Sequence, residues 1–202
     1  MAEEISEEVH PEWYRDLQPM YALILGSYPP HEGRRSYPFY YPNAQNRFWK
    51  ILSDLAGIPL VYTKTDPEKA VEERYRIMQT LHAGVHNLGR RIRRRGKSSL
   101  DTNIEITEFQ DILGIIQAHP ELRTILLSGF SAPSSTARLF LRYLQEQGLE
   151  PVPVPQKLDR ETVFDLHVDG RRIRCMVLNS TSTASSVPYA EVLEQFRRAL
   201  ER

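Results

Sequence analysis

The sequence predicts an α/β fold: a three-layer αβα sandwich around a central, mainly parallel four-stranded sheet, with an antiparallel edge strand as an optional addition. Three observations carry this expectation. Short aliphatic runs at residues 21–25, 122–128 and 173–178 have little polar alternation, as strands buried on both faces require. Stretches with apolar residues at helical spacing alternate with those runs. Such alternation favours parallel strands joined by right-handed crossovers, with helices on both faces.

Residues 1–12 hold Glu3, Glu4, Glu7, Glu8 and Glu12 with few apolar anchors, so a flexible acidic N-terminus is expected, followed by a single domain over 13–202. The run Tyr21-Ala-Leu-Ile-Leu25 stops at Gly26 and reads as the first buried strand. Phe48, Trp49, Ile51, Leu52 and Leu55 then mark a helix over 46–57, with Gly57 as its stop. Asp66 as N-cap and Pro67 at the first helical position open a second helix to about Leu81, and 84–88 supplies a short strand. Arg90 to Lys97 reads as a basic loop. A helix from Thr107 to His119, a strand over 122–128 and a helix from Pro133 to Gln147 follow.

Pro151-Val-Pro-Val-Pro155 must be extended, because proline lacks the amide donor and restrains the residue before it. Asp169-Gly170, between the apolar runs 163–168 and 173–178, is a two-residue hairpin signal and the source of the antiparallel edge strand. A helix over 188–200 closes the chain.

Composition limits the function classes. At 202 residues and 41% hydrophobic the chain can build one full core but hardly two. Its 26 basic and 26 acidic side chains cancel, so any nucleic-acid footprint must be a local patch. The single cysteine, Cys175, excludes an internal disulfide and a cysteine-rich zinc site, and its apolar neighbours predict a buried thiol. With an acidic start and no long apolar stretch, the expectation is an intracellular monomer, cytoplasmic or nuclear, without membrane association.

Two loops leave the ends of predicted parallel strands, and ligands of open α/β sheets sit at such ends. One is Gly26-Ser-Tyr-Pro-Pro30; the other is Asn179-Ser-Thr-Ser-Thr-Ala-Ser-Ser186, whose hydroxyls and amides suit phosphate oxygens. The latter also reads as an ordinary helix-capping region before Pro188.

The strand ending in Gly26-Ser-Tyr-Pro29, the aromatic pair Tyr40-Tyr41, the helix start Asn46-Arg-Phe-Trp49 and the late loop Leu178-Asn-Ser-Thr-Ser182 together resemble the uracil-DNA glycosylase superfamily. The nearest branches are the hypoxanthine (deoxyinosine) DNA glycosylases and the mismatch-specific uracil/thymine glycosylases. The likeness spans residues 20–198, including 99–104 and 124–129. It implies a monofunctional hydrolase of base-excision repair that acts on a flipped deaminated base, hypoxanthine or uracil, in single- or double-stranded DNA. No metal or redox cofactor is implied.

By this resemblance Asn46 is the catalytic residue, an amide that orients water and stabilises developing charge. Its competing role is to cap the helix through Trp49. Tyr41 or Tyr40 would stack on the extruded base, with Gly26, Ser27, Tyr28 and Ser128 completing substrate binding. Asn87 and Asp101 would line the pocket, and His86 is the histidine considered as a proton donor. Ser180, Thr181 and Ser182, with Arg93, Arg94 and Arg95 of the basic loop, would contact DNA.

Two departures from the family pattern stand out: Tyr28 occupies a position where many members carry Asp or Asn, and Ser128 one where several carry a base-reading Asn. They keep open a second function, a nucleic-acid-binding member without catalysis. A Ser180 nucleophile is a third reading, weakened by the lack of a Gly-x-Ser-x-Gly elbow.

Overall fold

The computed structural model describes residues 5–62, 65–96 and 103–201. Its chain order is β1 (Ile5–Val9), β2 (Ala22–Gly26), α1 (Phe48–Ala56), α2 (Pro67–Leu81), β3 (Ala83–Asn87), β4 (Gly89–Arg95), β5 (Ile104–Phe109), α3 (Ile112–Ala118), β6 (Thr124–Ser128), α4 (Thr136–Glu146), β7 (Val163–Val168), β8 (Arg171–Leu178) and α5 (Tyr189–Leu200).

The main sheet runs β3-β2-β6-β8-β7, parallel throughout except for β7, which pairs antiparallel with β8. This is the expected four-stranded parallel core with its added edge strand. Asp169 and Gly170, with φ of 49° and 75°, make the left-handed hairpin turn that the Asp-Gly pair signalled. Val152 bridges Asp165 on the outer side of β7, so the proline-rich connector runs as an edge.

The crossover from β2 to β3 moves the opposite way across the sheet from that between β6 and β8. Right-handed crossovers therefore put their helices on opposite faces. Helix α1 packs against α2 and α5. On the other face the Leu113 N–H donates to the Tyr143 hydroxyl at 2.8 Å, tying α3 to α4. Leu23, Ile24, Leu25, Ile125, Leu126 and Leu127 are fully buried between these layers, which explains their lack of polar alternation.

Two segments differ from the sequence expectation for one shared reason. The acidic start and the basic loop are both strands, and they pair with each other: β1 runs antiparallel to β4, with Glu7 opposite Arg93 and Ser6 opposite Arg94. Glu7 and Glu8 form ion pairs with Arg93 and Arg94, and Glu108 of β5 does so with Arg90 and Arg91. Each segment alone has too little apolar surface to announce a strand; together they neutralise one another. Residues 5–9 are thus part of the folded unit rather than a loose tail. The order β1-β4-β5 forms a second, antiparallel sheet.

The helix expected from Thr107 is shorter. Ile104 and Ile106 alternate with exposed residues in β5, and α3 begins only after Asp111, whose carboxylate accepts from the Gly114 N–H at 2.8 Å. Lys97, Asp101 and the stretch 99–102 lie outside the described residues.

Candidate functional site

Because β2, β3, β6 and β8 are parallel, their C-terminal ends share one edge of the sheet. Register puts Gly26 of β2 beside Asn87 of β3, and Ser128 of β6 beside Leu178 of β8. A cavity of about 370 Å³ opens there, lined by Ser27, Tyr28, Tyr41, Asn46, Asn87 and Ser128, with Thr136 and the loop Ser180 to Thr183 as one wall. The volume lies in the range of small-ligand pockets, ~300–1,000 Å³.

The four residues of Asn46-Arg-Phe-Trp49 each have a separate task. Asn46 Oδ1 accepts from the Phe48 N–H at 2.9 Å, an Asx turn that starts α1 and fixes the amide plane. Capping and a place in the cavity are therefore compatible: the second lone pair of Oδ1 and both hydrogens of Nδ2 are additional to that bond. Arg47 reaches the last loop, where its backbone N–H donates to the Thr181 carbonyl at 3.0 Å and its guanidinium to those of Val187 at 2.7 Å and Ser182 at 3.3 Å. Phe48 stacks on Tyr41 with ring centroids 3.9 Å apart. Trp49 Nε1 donates to the Tyr40 carbonyl at 2.8 Å.

Tyr41 has φ of 45°, a left-handed backbone uncommon for an aromatic residue and typical of positions where a site dictates conformation. Phe48 covers one face of its ring, and its hydroxyl reaches the space above Gly26. A Cβ on Gly26 would collide with that hydroxyl and lie 2.8 Å from Asn87 Nδ2. Glycine here lets the backbone close up beneath two polar groups. The other end of the Asn87 amide is held by His10, whose Nε2 is 3.0 Å from Asn87 Oδ1.

Two guanidiniums fix the loop after β2. Arg94 Nη2 donates to the Pro29 carbonyl at 2.9 Å and to Glu8 Oε2 at 3.2 Å while its Nε donates to Glu8 Oε1 at 2.7 Å, and Arg35 donates to the Pro30 carbonyl at 2.7 Å. Arg94 is 1% exposed, which removes it from any surface contact with DNA. Arg93 is exposed and paired with Glu7, and Arg95 is exposed; neither lines the cavity.

Tyr28 lines the cavity, yet its ring packs edge-on against His10 at 5.6 Å and its buried hydroxyl has no hydrogen-bond partner among the described residues. Burial and the nearby Glu8 carboxylate push its phenol above the ordinary tyrosine range, so it offers no charge to position water. Tyr40 is 1% exposed and does not line the cavity; its hydroxyl meets His86 Nδ1 at 2.8 Å. Of the two stacking candidates, the cavity contains Tyr41. Burial, with a smaller effect from His10, drops His86 to about 3 and keeps it neutral.

In the last loop Ser180 Oγ accepts from the Ser182 N–H at 3.2 Å and Ser182 Oγ from the Ala184 N–H at 3.2 Å, while Thr181 is 1% exposed. These local turns shape the wall and leave the hydroxyl hydrogens as donors. The structure therefore brings together Ser27, Tyr28, Tyr41, Asn46, Ser128, Ser180, Thr181 and Ser182, and sets Tyr40, Arg93, Arg94 and Arg95 elsewhere. Sequence reasoning missed His10, inside the supposed tail, and Thr136 on the first turn of α4. The signal for His10 was faint, a lone histidine after a strand with period-two alternation.

Neither a protein-family model nor a curated protein sequence matches the chain. Among solved structures it is similar to a protein from Methanosarcina acetivorans whose solution NMR structure was assigned provisionally as a uracil DNA glycosylase, with a TM-score of 0.56 and 23% identity over 91% of this chain and 93% of that one. At that identity the likeness establishes a shared fold, carried by nearly the whole length of both chains.

Proposed function

We propose that the protein is a monofunctional DNA glycosylase that hydrolyses the N-glycosidic bond of a deaminated base, hypoxanthine or uracil, flipped out of DNA. The observation that carries this reading is the convergence of two fixed amides, Asn46 and Asn87, and one backed aromatic ring, Tyr41, on a single cavity at the sheet edge. The fold shared with the Methanosarcina protein points the same way.

In this reading the base stacks on Tyr41, stiffened from behind by Phe48, and Asn87 meets its hydrogen-bonding edge. Ser128 is too short for a bidentate pairing and serves as wall. Asn46 orients a water molecule toward C1′ of the sugar. The water oxygen bonds to C1′ as the glycosidic bond breaks, the leaving base takes the bond's electron pair, and the water's proton ends on the base. An abasic site and free base result. The partly exposed Ser180 and Ser182 hydroxyls of the last loop grip phosphate oxygens, while Thr181, 1% exposed, supports the loop from within. Among the described residues no lysine lines the cavity to serve as an amine nucleophile, and in this reading the abasic strand stays intact.

A second reading, DNA binding without catalysis, is favoured by Tyr28, an uncharged phenol where a carboxylate would activate water. One assay separates the two. Oligonucleotides carrying uracil, hypoxanthine or xanthine, single-stranded and mismatched, are incubated with the protein and treated with alkali. Release of a base with Asn46-dependent rate supports the glycosylase; retained binding with no alkali-labile site from any substrate supports the second reading.

A further inference from the structure

His10 has no assigned role, and its two ring nitrogens make opposite demands on its neighbours. Nδ1 lies 2.5 Å from the Pro11 carbonyl oxygen. A carbonyl only accepts, so Nδ1 carries a hydrogen. Nε2 lies 3.0 Å from Asn87 Oδ1. With the oxygen on that side Nε2 must also carry a hydrogen, and the ring is an imidazolium. A neutral ring offers a lone pair at Nε2 instead. Asn87 must then make a half turn about its terminal torsion, donate from Nδ2 to His10, and put Oδ1 over Gly26 beside Tyr41. The two arrangements occupy the same space and differ in which end of the amide the cavity sees.

We infer that His10 is a specificity-determining residue: the hydrogen on its Nε2 decides whether Asn87 presents an acceptor or a donor to the base. This rests on the glycosylase reading above. Deaminated bases present a ring N–H beside a carbonyl, whereas their parents, adenine and cytosine, present a ring-nitrogen lone pair beside an amino group. An unrestrained amide turns to suit either pattern. Locked by neutral His10, Asn87 accepts from the ring N–H of hypoxanthine or uracil and confronts the lone pair of an undamaged base with its own. Protonated His10 reverses the preference. Leaving such polar groups mispaired in a buried site is strongly unfavourable.

The surroundings favour the neutral, selective state. The ring of His86 on β3 is 5.6 Å away, Tyr28 after β2 5.6 Å and Tyr40 5.9 Å, while Trp13 packs edge-on at 5.5 Å. Burial lowers the His10 pKa below 6.5, opposed by its bonds to Asn87 and Pro11, and the Arg35 charge lowers it further. On its outer side His10 lines a separate cavity with Glu12, Asp16, Arg90, Asp111 and His119, through which protons reach it.

The test titrates the whole ¹⁵N-labelled protein from about pH 7.5 down to about pH 4.5, through a pKa displaced below 6.5. Imidazole ¹⁵N shifts are expected to show neutral His10 with its hydrogen on Nδ1, and the Asn87 side-chain amide signals should move with the same midpoint. In His10→Phe, which keeps the ring packing, that movement should vanish. In parallel, kcat/KM for hypoxanthine release should fall about tenfold or more across the midpoint in the wild type and lose this limb in His10→Phe. Neutral His10 with its hydrogen on Nε2, or Asn87 signals indifferent to His10, overturns the inference even with base release intact. Coupled signals with no base released at any pH overturn the glycosylase reading instead.

Discussion

The segments Asn46 to Trp49 and Gly89–Arg95 are the two most conspicuous stretches of side chains in the chain, and they do unlike things. In the first, each residue reaches a different partner around one cavity: a backbone N–H, the last loop, Tyr41 and the Tyr40 carbonyl. In the second, Arg90, Arg91, Arg93 and Arg94 turn to carboxylates of β1 and β5, and Arg94 also reaches back toward the cavity, through the Pro29 carbonyl. The difference teaches that a dense charge run announces partners without saying whether they lie in another molecule or in the same chain. A mixed amide, cation and aromatic run at a helix start specifies geometry much more tightly.

Substitutions can break this contrast. The largest effect is expected for Asn46→Ala, which should lower base release by about 10²–10³-fold, as loss of a positioned polar group at a reacting centre does. Its thermal unfolding should report about 1 kcal/mol or less, the worth of one capping bond. A rate within a factor of a few of wild type would return Asn46 to a purely structural role. Arg94→Met should act in the opposite sense, with a folding loss of about 3 kcal/mol in urea, because Glu8 and the Pro29 carbonyl lose a buried partner. Retained stability would show the second segment to be as dispensable as a solvated charge run.

Acid should expose the histidine layer beneath both segments. His86 is held near 3 against an ordinary 6.5, so the unfolded chain binds a proton that the folded one refuses. Its contribution is fully present above pH 6.5 and is lost as pH falls from there toward 3, on the order of 5 kcal/mol at about 1.4 kcal/mol per pKa unit. His86→Phe should flatten this part of the stability–pH curve. Gly26→Ala is a finer probe, since its methyl must displace the Tyr41 hydroxyl and Asn87; about 1–2 kcal/mol of stability and a larger share of activity should go, read by unfolding and base release. The smallest change belongs to Arg93→Gln with Arg95→Gln. Exposed pairs contribute about 0.5 kcal/mol or less, so stability should hold, and DNA binding measured against salt tells whether either side chain also meets phosphate.

Much of the fold was legible because local chemistry and global burial agree. Leu23 to Leu25 and Ile125 to Leu127 are aliphatic because both sheet faces are covered, and Gly57, Pro67 and Asp169-Gly170 sit at turns or helix ends that need their backbone properties. The antiparallel sheet was not legible. Glu7, Glu8 and the arginines of β4 are far apart in sequence, and charge complementarity between distant segments leaves no mark in either one. The same distance hid His10 from Asn87.

By itself, then, the sequence determined the layered α/β architecture, the loops at the sheet edge and the placing of Asn46 at the head of a helix, since periodicity, caps and turns are properties of neighbouring residues. Tertiary structure alone decided that Tyr41 rather than Tyr40 lines the cavity, that Arg94 is buried, and that Asn87 is gripped by a histidine from the first strand's end. Those outcomes depend on which groups meet across the fold, where burial removes competing water and makes each hydrogen-bond partner consequential.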